Sequence, residues 1–306
     1  MRPEVVAVVG ATATGKSDLA IALAQAVGGE IINADSMQTY RGMDIGTAKV
    51  PVAERGGIPH HLLDIWDVTQ PASVVAYRDL ARSRIAEVTA RGRLPIVVGG
   101  SGLYVRAVLD ELDFPGQDPC LRAELNDQLD ALGPHALHER LAAQDPVAAT
   151  RIEPGNGRRI VRALEVIALT GQPFAAKLPA MAPRYRALTI GLTVARPELN
   201  RRLDARVQRM WQSGFVAEVR TLPGLAGSPT ASRALGYRQI LAMLAGACSD
   251  AEAQVDTATA TRRFAKRQMS WFARDPSVVW LAADDGLPIA EAQAVVKRFD
   301  HKAPDA

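Results

Sequence analysis

The run Gly10-Ala11-Thr12-Ala13-Thr14-Gly15-Lys16-Ser17 constrains the fold of this chain more than any other feature. It matches G-x-x-x-x-G-K-[ST], a loop whose glycines let the backbone bend close to an anion. The motif carries weight only between a strand and a helix, and both neighbours fit. Val5 to Val9 is a run rich in β-branched residues that ends at Gly10. From Lys16 to Val27, Leu19, Leu23 and Val27 recur near helical spacing. In such a loop, backbone N–H groups and the helix N-terminus point at phosphate oxygens. Lys16 adds a full positive charge, and Ser17 offers a hydroxyl to Mg²⁺.

Further strands follow at Glu30 to Ala34, Leu94 to Val98, Leu188 to Leu192 and Val278 to Leu281, with a helix from Ser73 to Arg91. Strands alternating with helices predict a parallel α/β sheet, here a P-loop core. The stretch 113–186 differs. It has no strand-like run, is rich in Ala, Leu, Arg and Glu, and is broken at Gly133-Pro134, Asp145-Pro146 and Glu153-Pro154-Gly155. About 90 residues separate the third and fourth of these strands, far more than a crossover needs. An all-helical insertion domain over 113–186 is expected within a core made of 1–112 and 187–306. After Arg196 the chain reads as helical almost to Pro276, and Lys302 to Ala306 as frayed.

Composition excludes several classes. With 306 residues and 48% hydrophobic content, the chain can bury a sizeable core. Its two cysteines, Cys120 and Cys248, form neither a disulfide framework nor a zinc pair. Met1-Arg2-Pro3-Glu4 runs straight into a strand, so no signal peptide is expected, and no apolar run reaches the roughly 18 residues of a membrane span. A reducing cytoplasmic setting with no membrane contact is the expectation, with a monomer as the default. Net charge is only +3, yet from Arg196 to Arg274 there are 13 Lys and Arg against 6 Asp and Glu. A polyanion would be drawn there, although a solvated helical surface reads the same way.

Most loops of this kind bind ATP or GTP, and such enzymes carry an acidic residue at the end of a later buried strand. Here that strand ends in Gly99-Gly100-Ser101, without a carboxylate. The loop therefore suits a diphosphate leaving group. Asp35, after Ile31-Ile32-Asn33-Ala34, is expected at the carboxyl end of its strand, in the same crevice as Lys16. It reads equally as a proton acceptor or as an Asx turn or N-cap leaving the strand. His60 and His61 have no i+4 partner or nearby cysteine and read as a hydrogen-bonded structural pair near the mouth of the crevice.

Several longer stretches go further: Asp35-Ser36-Met37-Gln38 continuing through Tyr40 to Lys49, Pro59 to Ile65, Val98 to Tyr104, Arg159 to Val166, Leu235 to Gln239 and Ala265 to Phe272. Together they resemble the bacterial tRNA dimethylallyltransferases, also called tRNA isopentenyltransferases, over roughly Val5 to Leu281. The resemblance implies transfer of a dimethylallyl group from dimethylallyl diphosphate to N6 of the adenosine 3′ of the anticodon, with diphosphate leaving and Mg²⁺ assisting. It also implies that the helical insertion grips the anticodon stem-loop of tRNA. Departures are modest: Ala11, Thr14 and Ser17 replace Pro, Ser and Thr in the loop, Ser101 stands for Thr, and Arg158 for Gln.

Each residue then has an expected task. Asp35 takes the proton of the attacking amine, and the Ser101 hydroxyl orients the amine or the carboxylate. Lys16, the loop N–H groups, Mg²⁺ on Ser17 and, by motif position, Arg206 neutralise the departing diphosphate. The resemblance lays Asp35-Ser36-Met37-Gln38 and Ser101 against the target base and its neighbours. It assigns the anticodon arm to Arg122, Arg158-Arg159-Ile160-Val161-Arg162, Arg233-Ala234-Leu235-Gly236-Tyr237-Arg238 and Lys266-Arg267-Gln268-Met269-Ser270-Trp271-Phe272-Ala273. Tyr237, Trp271 and Phe272 are open to either base stacking or a core role. The competing functions are a small-molecule P-loop kinase, a non-catalytic RNA-binding NTPase and a prenyltransferase acting on free adenine nucleotides, the last disfavoured by the insertion.

Overall fold

A computed structural model of the chain describes residues 2–112, 114–174 and 182–301. Six strands form one parallel sheet: β1 (Val5–Gly10), β2 (Gly29–Asn33), β3 (His60–His61), β4 (Leu94–Gly99), β5 (Ala187–Thr193) and β6 (Val279–Ala282), in the order β3-β2-β4-β1-β5-β6. Every pairing is parallel, with Val8 beside both Val98 and Ile190 at the centre. β1, β2 and β4 are buried throughout, as parallel strands under helices must be, while the edge strands β3 and β6 are partly exposed. Along β1 the side chains alternate accordingly: Val6 and Val8 join one core, and Val5, Ala7 and Val9 the other.

The first core is closed by α1 (Lys16–Val27), through Leu19 and Leu23, and by Val295 and Val296 near the chain end. The second is closed by Tyr77, Ala81 and Ile85 of α2 (Val74–Ala90) and by Tyr104, Val105 and Val108 of α3 (Gly102–Leu109). Each Val, Leu or Ile side chain among these contributes roughly 1.5–3 kcal/mol when fully buried.

The chain divides into two compact units, Met1–Asp110 with Pro183–Ala306, and Glu111–Ala182. Pro183 to Arg186 go with the sheet because Asp110 bridges Pro183 and the Arg184 N–H donates to the Leu109 carbonyl. The second unit holds α4 (Pro119–Gln144), α5 (Pro146–Arg151) and α6 (Gly157–Thr170). Gly133, at φ 79°, interrupts α4 just before Pro134. Asp118, Asp145 and Asn156 cap the three helices by accepting backbone N–H groups. Leu125, Leu137, Leu141, Ile160, Val161 and Leu164 form its core.

In the first unit, after β5, come α7 (Arg196–Gln212), α8 (Phe215–Thr221), α9 (Tyr237–Leu244), α10 (Asp250–Phe272) and α11 (Ile289–His301). α7 and α10 pack on the phosphate loop itself, where Leu199, Leu203 and Ala265 surround Ala11. The two-residue strand β3 is absent from the sequence expectations, since His-His carries no alternation. The expected boundary at Asp113 and the expected fraying of Lys302 to Ala306 lie outside the described residues.

Candidate active site

β1, β2 and β4 end side by side, so their carboxyl ends bring three loops to one crevice of about 890 Å³. Such crevices are where open α/β sheets bind ligands. The phosphate loop forms one wall. Gly15 takes φ 89° at the start of α1, a left-handed conformation that suits glycine, and Ala13 takes φ 64°. The Thr14 hydroxyl donates to the Ala11 carbonyl at 2.9 Å and closes the loop on itself.

Lys16 Nζ donates to the Ala11 carbonyl at 2.5 Å. Lys16 and Arg206 both line the crevice and are half-buried. Enclosure by protein lowers the Lys16 pKa to about 7, with the Arg206 charge adding and the Asp35 charge opposing. Desolvation also pulls Arg206 below its ordinary value, against the Asp35 charge. Among the described residues, neither cation has a carboxylate within ion-pair distance. Arg206 Nη2 donates instead to the Thr47 carbonyl at 3.3 Å.

Asp35 follows β2 into the crevice as expected. It also makes the Asx turn: Oδ1 accepts the Met37 N–H at 2.9 Å. The Asx-turn reading of this residue therefore holds, and the turn leaves the side chain in the crevice. Among the described residues its Oδ2 has no hydrogen-bond partner. Ser101 Oγ accepts the Ser36 N–H at 3.2 Å and lies 3.4 Å from the Ser36 hydroxyl. Ser101 thus holds the residue after Asp35, rather than the carboxylate itself. Gln38 Nε2 donates to the Thr47 carbonyl at 3.1 Å, so one carbonyl steadies both Gln38 and Arg206.

Glu218 organises this loop, although no sequence motif marks it. Its carboxylate accepts the N–H groups of Asp44, Ile45 and Gly46 at 3.0, 2.6 and 3.2 Å, and the Tyr237 hydroxyl at 2.5 Å. Lys49, buried beneath, donates to Asp44 and Asp64. The partners of Glu218 are far apart in the chain, and spacing alone does not find them. The histidines behave as expected of a structural pair: His60 Nδ1 bonds the Ile58 carbonyl at 2.8 Å and lines the crevice, and His61 Nε2 meets Glu30 at 2.7 Å.

Several residues expected on an RNA-facing surface are elsewhere. Ile160 and Val161 are core residues of the insertion, and Tyr237, Ala234 and Phe272 are core residues of the sheet unit. In the helices, periodicity turns Ile160, Val161, Tyr237 and Phe272 inward while neighbours turn outward. Arg122 and Arg162 both close on Glu165, which is fully buried, and Arg162 also donates to the Pro115 carbonyl at 2.7 Å. Gln268 is buried and bonds the phosphate loop. Arg158, Arg159, Arg233, Arg238, Lys266, Arg267, Ser270, Trp271 and Ala273 are exposed, and Leu235 and Met269 partly so.

The family model described as IPP transferase matches residues 38–275. A tRNA dimethylallyltransferase of Streptomyces coelicolor is 62% identical over 282 residues, 92% of this chain and 90% of that protein. One from Salinispora arenicola is 59% identical, over 96% of this chain and 86% of that protein. Among solved structures, the tRNA isopentenylpyrophosphate transferase of Bacillus halodurans superposes with a TM-score of 0.72 at 39% identity, covering 97% of this chain and 95% of that one. A eukaryotic dimethylallyltransferase captured acting on tRNA gives a TM-score of 0.83 at 28% identity, over 98% of this chain and 80% of that one.

Proposed function

Because this chain belongs to the IPP transferase family, we propose that it alkylates N6 of the adenosine 3′ of the anticodon, using dimethylallyl diphosphate. It transfers a dimethylallyl group to tRNA, as its relatives are named for doing. The observation that carries the finer reading is one crevice with two cations lacking carboxylate partners, Lys16 and Arg206, and a carboxylate with a free oxygen, Asp35. Two enclosed cations without counter-charge suit a diphosphate. A carboxylate at the neighbouring strand end suits an amine that must lose a proton.

In the reaction, the N6 lone pair attacks the allylic carbon. The N–C bond forms as the C–O bond to diphosphate breaks, and the electron pair leaves on the diphosphate oxygen. Asp35 Oδ2 accepts the surplus N6 proton, while the Met37 N–H holds Oδ1 in place. Lys16, Arg206 and the loop N–H groups stabilise the charge that grows on the leaving group. Ser101 fixes the Asp35-Ser36 turn through the Ser36 N–H. Mg²⁺ fits as a cation held mainly by substrate: Ser17 lines the crevice, and no cluster of three His, Cys, Asp or Glu suits a metal among the described residues. When bound there, Mg²⁺ neutralises part of the diphosphate charge.

The target base must leave its stack to enter the crevice, at a cost of a few kcal/mol that is least in an irregular loop. The exposed Arg158 and Arg159 of the insertion, and separately Arg233, Arg238, Lys266 and Arg267 of the sheet unit, suit RNA phosphates. No described helix is long and apolar enough to cross a membrane. We assign the activity to a cytoplasmic monomer.

The test mixes protein, Mg²⁺, labelled dimethylallyl diphosphate and an anticodon stem-loop. Label is expected on the adenosine next to the anticodon, with diphosphate released and no ATP consumed. Label absent from RNA, or a phosphoryl group transferred from ATP, would overturn the reading.

A further inference from the structure

On α10, Lys266, Arg267, Ser270 and Trp271 are exposed, while Ala265, Gln268 and Phe272 form the inward stripe. Gln268 is only 5% exposed. A buried amide must find partners for both its ends. Its Oε1 accepts the Thr12 N–H at 3.0 Å, and its Nε2 donates to the Gly100 carbonyl at 2.9 Å. The approach to Gly100 is close enough that a Cβ there would collide with the amide nitrogen.

Both partners adjoin the chemistry. Thr12 precedes Ala13, the non-glycine residue that the phosphate loop holds at φ 64°. Gly100 precedes Ser101, whose hydroxyl accepts the Ser36 N–H beside Asp35. One side chain thus spans from the loop that faces diphosphate to the turn that supports the proton acceptor. The Thr12 N–H is thereby engaged as an anchor.

We infer that Gln268 is a positioning residue, which holds the phosphate loop in its anion-binding form and sets its distance from the Gly100-Ser101 turn. It acts inward on the diphosphate side and does not touch RNA. The kinetic consequences rest on the transferase reading; diphosphate binding does not.

The test uses Gln268→Met, close in shape but without hydrogen bonds, and Gln268→Glu, which keeps an acceptor for Thr12 but turns an oxygen toward the Gly100 carbonyl. Removing one partner of a buried pair leaves the other unsatisfied, so Gln268→Met should weaken inorganic diphosphate about tenfold in calorimetry without RNA. KM for dimethylallyl diphosphate should rise by a similar factor and kcat should fall, with stem-loop affinity changed by less than about twofold. Gln268→Glu should lose about a hundredfold in diphosphate affinity, since it also brings negative charge to the cradle. In the unaltered protein, the Thr12 N–H should exchange slowly with solvent even without ligand, a measurement independent of whether the variants fold. Lost stem-loop affinity with diphosphate binding intact, a lower melting temperature alone, or rapid Thr12 exchange would overturn the inference. If the unaltered protein transfers no dimethylallyl group, the transferase reading fails while the diphosphate and exchange measurements still judge Gln268.

Discussion

In the insertion, Glu165 is fully buried and Arg122 and Arg162 close on it; in the crevice, Lys16 and Arg206 are half-buried and no carboxylate among the described residues pairs with either. Burial pushes the Glu165 carboxyl up, but the two guanidinium hydrogen bonds outweigh it and leave the group below its ordinary value. Lys16 has no hydrogen-bonded carboxylate, the Asp35 charge offsets its burial only in part, and its pKa falls to about 7. Charge that is satisfied within the protein builds a core, whereas charge left unsatisfied in a concave site awaits a ligand. The arginines of both regions look alike in sequence, so partner geometry separates their roles.

The comparison breaks most sharply at Asp35. Asp35→Ala should cut turnover by about 10²–10⁴ with little change in diphosphate affinity, if the carboxylate takes the N6 proton. Near-normal turnover in single-turnover assays would remove it from the mechanism. Arg206→Ala should cost about 10²–10³ in kcat/KM, the usual loss when one preorganised group facing developing charge is removed. The same variant should leave stability to urea almost unchanged, because the guanidinium has only the Thr47 carbonyl to lose.

Glu165→Gln reverses that pattern. It leaves two arginines facing a neutral amide, and their partial exposure reduces the cost to about 2 kcal/mol. Urea unfolding followed by a probe in the insertion should report the loss, with diphosphate affinity unchanged. The sign in pH is fixed as well: the folded carboxyl lies below its ordinary 4.5, so this stabilisation is present above 4.5 and lost as pH falls below it. A Glu165→Gln protein as stable as the original at neutral pH would show that the insertion does not depend on this pair.

The elements that were legible in the sequence are those whose physics is local. The phosphate loop is contiguous because its backbone N–H groups must converge on one anion, and α1 runs over Lys16–Val27 as its spacing predicts. Asp35 was legible because a strand end in a parallel sheet faces the crevice. The stretches Arg158 to Arg162 and Lys266 to Ala273 are contiguous blocks in sequence, while a helix divides them by its 3.6-residue period. Ile160 and Val161 fall inward with Leu164, and Gln268 with Ala265 and Phe272. Glu218 was invisible because its partners, Asp44 to Gly46 and Tyr237, lie distant in the chain and meet only after the fold closes.

Lys16 sharpens the crevice side of the comparison through pH. A bound diphosphate raises the pKa of Lys16, so binding takes up a proton above pH 7. Affinity for inorganic diphosphate should weaken as pH rises past 7, by up to about tenfold per unit from this group. Lys16→Arg stays charged, so the difference in slope between the two proteins isolates Lys16 from titration of the ligand. Without ligand, the burden of burying the lysine charge is full below pH 7 and disappears toward 10.5, so stability should rise with pH over that window. Equal slopes in the two proteins would mean that Lys16 stays charged without ligand.

The smallest effect is expected at Tyr237, where the choice between base stacking and a core role falls to the core: the ring is fully buried and packs edge-on against Phe215 at 4.9 Å. Burial, with the Glu218 charge beside it, drives the Tyr237 hydroxyl far above its ordinary value, so it donates at every working pH. Tyr237→Phe removes that donor and leaves Glu218 with its three backbone N–H groups. A loss of about 1 kcal/mol should loosen the Asp44 to Thr47 loop, and with it the carbonyl that steadies Arg206. KM for dimethylallyl diphosphate should therefore rise about three- to tenfold, with stem-loop affinity unchanged. The opposite split, weaker RNA binding with KM for the prenyl donor intact, would mean that the ring leaves its core to meet the RNA, and that the Glu218 loop does not govern Arg206.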